Sequence, residues 1–355
     1  MLNKNRINLK KLWLFIGFIS CCLIVFNCKN KRIIKLKVLQ FNIWQEGTVV
    51  KNGFDAVVDE IIRTDADLIS FSEVRNYNGV DFSKHIIEAL KDKGHTYYAQ
   101  PSQDTGLLSK YPIIEQTALY PVKNDHGSIT KAIINVLGVE VAFYSGHLDY
   151  LNCALYLPRG YDGSTWKKLD SIVTNVEIIH KNNLESMRDE AIDTFIADAE
   201  NEIKQGRLVI YGGDNNEPSH LDWIEANKHL YDHNGVVINW RNTAKIEKHG
   251  FKDAYREIFP NPVSHPGFTY PADNPLVPIN KLAWSPEADD RDRIDFIFYN
   301  PDERLKLIDA KILGPKGDVS KNKRVLQPTE DIFIEPLNVW PTDHKAVLAS
   351  FALKF

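Results

Sequence analysis

The sequence predicts a sheet-centred α+β domain over residues 35–355. Three observations predict it: strand-like segments outnumber helical ones, the helical segments flank them, and no internal repeat or low-complexity linker divides the chain. "KLKVLQFNIW" (35–44) is β-rich and alternates, as a strand does. "GFDAVVDEIIRTDA" has helical spacing, with Ala56, Val57, Ile61 and Ile62 on one side. "DLISFSEV" is a short apolar strand that stops at Glu73, and "DFSKHIIEALKDKG" is a second amphipathic helix closed by Gly94. Strands are expected at 96–99, 106–109, 113–119, 131–136 and 139–147. Residues 150–186 form an insertion containing Gly, Pro and Asn; "RDEAIDTFIADAENEIKQG" (188–206) is a helix feeding the strand "RLVIYG". Residues 232–292, rich in Pro, His, Asn and Trp, are expected as loops over one end of the sheets. "RIDFIFYN" and "KAVLASFAL" supply late strands.

The start of the chain has a different composition. Basic "KNRINLKK" precedes "LWLFIGFISCCLIVFNC", a 17-residue apolar run ending at Cys28. That order and length suit an export signal over 1–28, followed by a short linker at 29–34. "VFNC" before "KNKR" resembles a bacterial lipobox with Cys28 lipidated, although Phe26 and Asn27 stand where small residues are usual. An uncleaved N-terminal anchor is the competing reading. Both put the domain outside the cytoplasm on a membrane tether, as a periplasmic or extracellular monomer. Three of the four cysteines fall in this stretch, so Cys153 has no disulfide partner and reads as a small semi-buried apolar residue. Seven of the 43 basic residues also lie within the first 32, where there is no acid. The remainder therefore carries 36 basic against 47 acidic residues, a net of −11. So acidic a domain has no general attraction to a phosphate backbone, which disfavours nucleic acid as a partner.

Strand after strand ends on a residue that binds metal or moves protons: Asn42, Glu73, His147, Asp214 with Asn216, Asp295, and Asp343 with His344. Each alone has an ordinary explanation; Asp214 and Asn216, for example, could cap a helix beginning near Ser219. Together they place carboxylate, amide and imidazole groups at one rim of a sheet, where sites are commonly built. The two glycines before Asp214 would let the backbone turn there.

"LQFNIW", "LISFSEV", "GLLSKYPI", "YSGHLD", "VIYGGDNN", "DRIDFIF" and "PTDHKAVLASF", in that order, resemble the endonuclease/exonuclease/phosphatase superfamily. The resemblance spans about 35–355 and implies a four-layer α/β/β/α sandwich, two packed β-sheets flanked by helices, with the active site at one end. It also implies an Mg²⁺-dependent hydrolase, Mn²⁺ being the alternative cation, that cleaves a phosphate ester by in-line attack of water. Such a reaction needs a cation on the phosphoryl oxygens, an oriented water and a proton for the leaving oxygen. Glu73 offers the hard oxygen Mg²⁺ prefers, with the Asn42 amide oxygen and Asp343 in support. Asp214 and Asn216 match the family's Asp-x-Asn, which positions the attacking water and a phosphate oxygen. His344 held by Asp295 forms the imidazole–carboxylate pair of a general base. His147 stabilises the transition state or protonates the leaving group. Whether Asp214 or His344 takes the proton stays open at this point.

Trp44 stands where some relatives carry an acid, so metal binding leans on Glu73. Phe268, Tyr270 and Trp284 are expected to flank substrate or to anchor their own loop, and His220, His229, His249 and His265 to lie on the surface. Three functions compete. A phosphodiesterase or phosphatase acting on a small or lipid-headgroup ester is favoured by the acidic domain and the tether, with the two insertions shaping its pocket. An extracellular endonuclease would need a basic row, for which only scattered Lys110, Lys167, Lys168, Arg241 and Lys252 are available. A non-catalytic binding lipoprotein would be expected to lack Glu73 or His344, and both are present.

Overall fold

Leu36 and Val38 pack into one apolar cluster, whereas Leu39 and Phe41 pack into another, so β1 (Ile33–Asn42) is buried on both faces. Period-two alternation with apolar residues on both sides marks a strand in a middle layer. The computed structural model describes residues 32–123, 126–326 and 328–355, of which Ile33–Phe355 forms one compact unit. The expected signal over 1–28 lies outside the described residues. Among the described residues no helix is long and apolar enough to cross a membrane.

In chain order β1 leads to α1 (Gly53–Thr64), β2 (Leu68–Val74) and α2 (Phe82–Asp92). Next come β3 (Asp104–Ser109), β4 (Ile113–Tyr120), β5 (Gly127–Val136), β6 (Val139–Leu148), α3 (Val176–Asn183), α4 (Arg188–Lys204) and β7 (Leu208–Asp214). The second half holds α5 (Arg241–Lys248), β8 (Lys252–Asp253), α6 (Ala254–Ile258) and β9 (Asp295–Tyr299). It closes with β10 (Leu305–Leu313), the hairpin β11 (Asp318–Ser320) and β12 (Lys323–Val325), β13 (Phe333–Ile334) and β14 (Ala346–Lys354). Among the described residues these strands build two mixed sheets of six, β13-β10-β14-β1-β2-β3 and β4-β5-β6-β7-β9-β8.

The expected sandwich is present. Leu36, Val38, Phe143, Ile210, Ile297 and Phe351 fill the space between the sheets. Val57, Ile61, Ile86 and Leu90 of α1 and α2 cover the first sheet, and Ile192, Phe195 and Ala199 of α4 cover the second. Near the rim the inter-sheet layer turns polar. Gln40 Nε2 donates to Asp295 Oδ1 at 2.8 Å, Ser72 Oγ to the Gly146 carbonyl at 3.0 Å and Ser145 Oγ to the Phe71 carbonyl at 2.9 Å. Each joins one sheet to the other, and a buried polar group is tolerated when it is bonded in this way.

Five local expectations change. Residues 96–99 contribute only a bridge from Tyr98 to Ser109, and β3 begins at Asp104 rather than 106. β1 begins at Ile33, two residues before the expected start of the first strand. Residues 219–223 form turns, so Asp214 and Asn216 cap no helix there. The 232–292 stretch contains α5, β8 and α6 as well as loops. It also shares an apolar cluster with the 150–186 insertion, through Leu155, Tyr156, Tyr161, Ile238, Trp240 and Ala288.

Candidate active site

Glu73 owes its position to a β-bulge. The register between β2 and β3 shifts between Ser72 and Val74, leaving Glu73 as the extra residue with φ of +71°. A bulge re-aims a side chain, and a left-handed non-glycine residue is a strained conformation that clusters at functional sites. Glu73 turns into a cavity of about 270 Å³ whose lining includes Arg75, His147, Asp214, Asn216, Asp343 and His344. The Gln45 N–H donates to Glu73 Oε2 at 3.0 Å. Asn42 lies beneath, donating from Nδ2 to Glu73 Oε1 at 3.2 Å and to Asp214 Oδ2 at 2.9 Å. Its own oxygen accepts from the Trp44 N–H at 2.9 Å. A backbone N–H can only donate, which fixes the amide orientation. Asn42 therefore ties two carboxylates together through its amide nitrogen.

The strand registers bring the remaining groups to the same rim. His147 and Asp214 end β6 and β7 side by side in parallel pairing, and Asp214 faces Asp295 across β7 and β9. His344 Nδ1 and Asp295 Oδ2 stand 2.9 Å apart, and the Asp214 carboxylate is 3.8 Å from Nε2 on the other side of the ring. A second imidazole–carboxylate pair joins His147 Nδ1 to Asp104 Oδ1 at 2.9 Å. Asp104 also accepts from Ser128 Oγ at 2.9 Å and from Arg75 Nη1 at 2.7 Å. The Asn216 N–H donates to Asp214 Oδ1 at 2.9 Å, and Asn216 Nδ2 to the Leu148 carbonyl at 2.9 Å, fixing both residues of the Asp-x-Asn.

The electrostatics follow from this crowding. Burial works against a charged His344, but Asp295 and Asp214 outweigh it and hold the ring up at about 10. His147 is likewise held up at about 9, burial being overcome by Asp104. Asp214 is pushed up to about 6 by burial and by Asp295, against the pull of both histidines. Asp343 rises to about 7 through burial and the Glu73 charge, with His344 opposing. An acid cluster short of counter-charge raises its own pKa values in this way.

That shortage is a fit test for a divalent cation, and the site passes it. Glu73, Asp214 and Asp343 offer hard oxygens around one cavity, the donor chemistry Mg²⁺ and Mn²⁺ take. Asp214, Asp295 and His344 also bring ligand atoms within 4.8 Å of one another. In that group, however, His344 and the fully buried Asp295 already satisfy each other, which suits proton handling better than coordination.

The two insertions line the other side of the cavity with Tyr150, Cys153, Leu155, Tyr156, Trp166, Tyr270, Trp284 and Asp290. Arg188 holds the base of the first insertion, bonding the carbonyls of Asp149, Leu151 and Asn152. Asp292 clasps the two together, accepting from Arg159 of the first and from Trp223 Nε1 at 2.8 Å. Tyr270 packs its ring 4.9 Å from that of His344 and Trp284 stands half-exposed at the mouth, whereas Phe268 lies away from the cavity on Tyr231.

Other expectations are revised here. Gly212 and Gly213 lie within β7 and do not turn the chain. Their service is close approach: a Cβ on Gly212 would stand 2.2 Å from Ser70 Oγ of the opposite sheet, and one on Gly213 2.6 Å from the Tyr211 hydroxyl. Cys153 is fully enclosed and its thiol is pushed up to about 12 by burial, which keeps it unreactive. His220 and His265 are half-buried, not superficial: His220 bonds Thr243 and Glu247, and His265 stacks on Phe259. The sequence reading missed Asp104 and Arg75. Asp104 opens a strand where the ends of strands had been searched, and it stands two residues before the quoted "GLLSKYPI".

The profile of the Endonuclease/Exonuclease/phosphatase family matches residues 39–344. A Caenorhabditis elegans protein, "Uncharacterized protein F14F9.5", is 30% identical over 334 residues, covering 89% of this chain and 91% of its own. Among solved structures, truncated TDP2 of Caenorhabditis elegans superposes with a TM-score of 0.50 at 16% identity, covering 90% of this chain and 98% of that one. The human Nocturnin catalytic domain with bound sulfate gives 0.46 at 15% identity, covering 91% and 97%.

Proposed function

The chain belongs to the Endonuclease/Exonuclease/phosphatase family, and from that premise we propose that it is a divalent-metal-dependent phosphoesterase acting on a small or headgroup-type ester. One observation carries the reading: carboxylates of Glu73, Asp214 and Asp343 and the rings of His147 and His344 line the same cavity. When bound, Mg²⁺ or Mn²⁺ would be held by Glu73 and Asp343 and would supply charge on the phosphoryl oxygens and water activation. Asp214, with a pKa near 6, is matched to accept the proton of the attacking water at neutral pH. His344, kept protonated by Asp295, stabilises the phosphoryl oxygens. This favours Asp214 over His344 as the base. His147, held by Asp104, donates to the leaving oxygen, and Asn216 orients the water.

The cavity supports a small ester over a nucleic acid. Arg75 is its one Lys or Arg among the described residues, against the carboxylates of Glu73, Asp214, Asp290, Asp292 and Asp343. Lys110 pairs with Asp65 and Asp67, Lys168 with Glu287, and Lys252 lies between Glu247 and Glu257, so these lysines form no free row. The test is incubation of the full chain with bis(4-nitrophenyl) phosphate and, separately, supercoiled plasmid, in Mg²⁺ or EDTA. Mg²⁺-dependent release of nitrophenol without nicking is expected. Nicking lost in His344→Ala would replace this reading with an endonuclease, and no release from a folded, Mg²⁺-binding protein would overturn it. The basic and apolar stretch ending at Cys28 supports export and a membrane tether, which loss of lipid labelling in Cys28→Ser would test.

A further inference from the structure

Asp290 is 1% exposed, lines the cavity, and has no ion-pair partner among the described residues; the side-chain donor beside its carboxylate is the Ser285 hydroxyl, whose one proton leaves at least one oxygen without a partner. Two other polar atoms of the cavity wall are in the same condition, Trp166 Nε1 and the Tyr270 hydroxyl. Buried polar atoms are nearly always bonded, and a buried acid without a partner is costly to keep. The neighbours do not satisfy both oxygens. The buried cation Arg159 is spent on Asp292, and the Ser285 hydroxyl has a single proton to give.

Around these atoms the two insertions set aromatic rings. Trp166 lies 5.0 Å from Trp284, 6.1 Å from Tyr150 and 6.2 Å from Tyr156, centroid to centroid. Trp166 is itself held with φ of +54°, a strained conformation for a bulky residue. The ring planes are inclined to Trp166 by 50°, 35° and 58°, which makes a faceted wall and not a parallel-sided slot.

We propose that this wall is a subsite for a ring bearing adjacent hydroxyl groups, a sugar or cyclitol, carried on the phosphate ester, with Asp290 accepting from its hydroxyls. Three features of the wall choose this class. Asp290 needs donors, Trp166 Nε1 needs an acceptor and Tyr270 takes either; a hydroxyl both donates and accepts. A quaternary ammonium would suit the aromatics and the carboxylate but can neither accept from Trp166 nor bond Tyr270. A nucleobase would prefer parallel ring faces, whereas the C–H faces of a puckered ring fit inclined ones. That the ring arrives as part of a substrate rests on the phosphoesterase reading; its binding does not.

The test is tryptophan fluorescence of the full chain in Mg²⁺, titrated separately with myo-inositol, glucose, choline chloride and adenine, none of which carries a phosphate ester bond. Saturable quenching is expected from one of the two rings, about tenfold tighter than from choline or adenine. Which ring answers identifies the source. Asp290→Asn and Trp284→Ala should each weaken it by roughly tenfold, the loss expected for a hydrogen bond to a charged group or for a stacking face. Trp284 is 51% exposed at the rim, so its removal leaves the fold intact and decides the matter if Asp290→Asn melts early. No saturable response to either ring, tighter choline or adenine, or unchanged binding in both variants would overturn the subsite. Ring binding without release from bis(4-nitrophenyl) phosphate would instead sink the phosphoesterase reading and leave the subsite standing.

Discussion

Asp295, His344 and Asp104 at the strand-end rim are bonded to one another or to neighbours fixed by sheet register, whereas Asp290, Trp166 and Tyr270 on the loop-built wall keep polar atoms without partners. The two surfaces share one cavity. On the rim, each imidazole has a carboxylate behind it, and each of those carboxylates has a second donor. Groups held like this need no rearrangement when a phosphate arrives, the condition for electrostatic catalysis. The wall leaves its hydrogen-bonding capacity unspent, the condition for choosing among ligands. One fold keeps its mutually bonded polar groups at the sheet ends and its unbonded ones on the insertions.

The largest expected effect removes the rim's hardest oxygen. Glu73→Ala should cut metal-dependent turnover by roughly 10³-fold or more, several kcal/mol of lost charge stabilisation; wild-type rates would end the metal assignment. His344→Ala should cost about 10²–10³-fold in kcat with the far-UV spectrum unchanged. The pH profile separates the two rim bases. With Asp214 as base, kcat/KM rises with pH as it ionises near 6 and falls as His344 loses its proton toward 10, and Asp214→Asn removes the acidic limb. A rate still climbing through pH 10 would return the role to His344.

Stability offers a weaker probe. His147 and His344 have folded values raised to about 9 and 10, so their contribution is complete below pH 6.5 and lost as pH climbs through those values. Asp214 and Asp343 keep their protons up to about 6 and 7, so between the unfolded value of 3.8 and those points rising pH also favours unfolding. The metal-free protein should therefore lose melting temperature from pH 5 to pH 9. Mg²⁺ should restore more of it at pH 8 than at pH 5; equal restoration would mean the carboxylates do not hold the cation. Asp104→Asn should lower kcat by about 10–100-fold, the usual cost of removing a support behind a reacting group, and shift the pH profile. The smallest effect is expected from Lys110→Ala, on a half-buried ion pair outside both surfaces, with activity within about twofold and stability within ~1 kcal/mol.

How far the sequence disclosed these surfaces follows the same division. Glu73, His147 and Asp214 stand at the ends of apolar strands as expected, whereas Asp295 opens β9 and His344 lies two residues before β14; a polar residue at either edge of an apolar run is a one-dimensional signal that survives without coordinates. The sandwich was legible for that reason too, because runs such as "LVIYG" and "FIFY" must be buried on both faces. Asp104 escaped because its carboxylate meets His147 only where β3 of one sheet packs on β5 and β6 of the other, a contact between sheets that no local pattern reports. The wall was illegible for a deeper reason. "ADDRDRID" has the composition of a solvated charge run, yet Asp289, Asp290, Arg291, Asp292 and Arg293 are all buried. Arg293 binds Asp222 and Asp253, and Asp292 binds Arg159, partners between 40 and 133 positions away in the chain. No local pattern reports such distances. Trp166 and Trp284 were likewise unpaired in sequence, and only Trp284 drew notice.

The pairing of β1 with β14 sets Ile33 against Lys354, while Asn42 at the other end of β1 reaches the cavity. Ten residues of strand at about 3.3 Å each place those two ends roughly 30 Å apart. Ile33 thus lies at the base of the sandwich, beside the C-terminal strand, with the full height of the sheets between it and the chemistry.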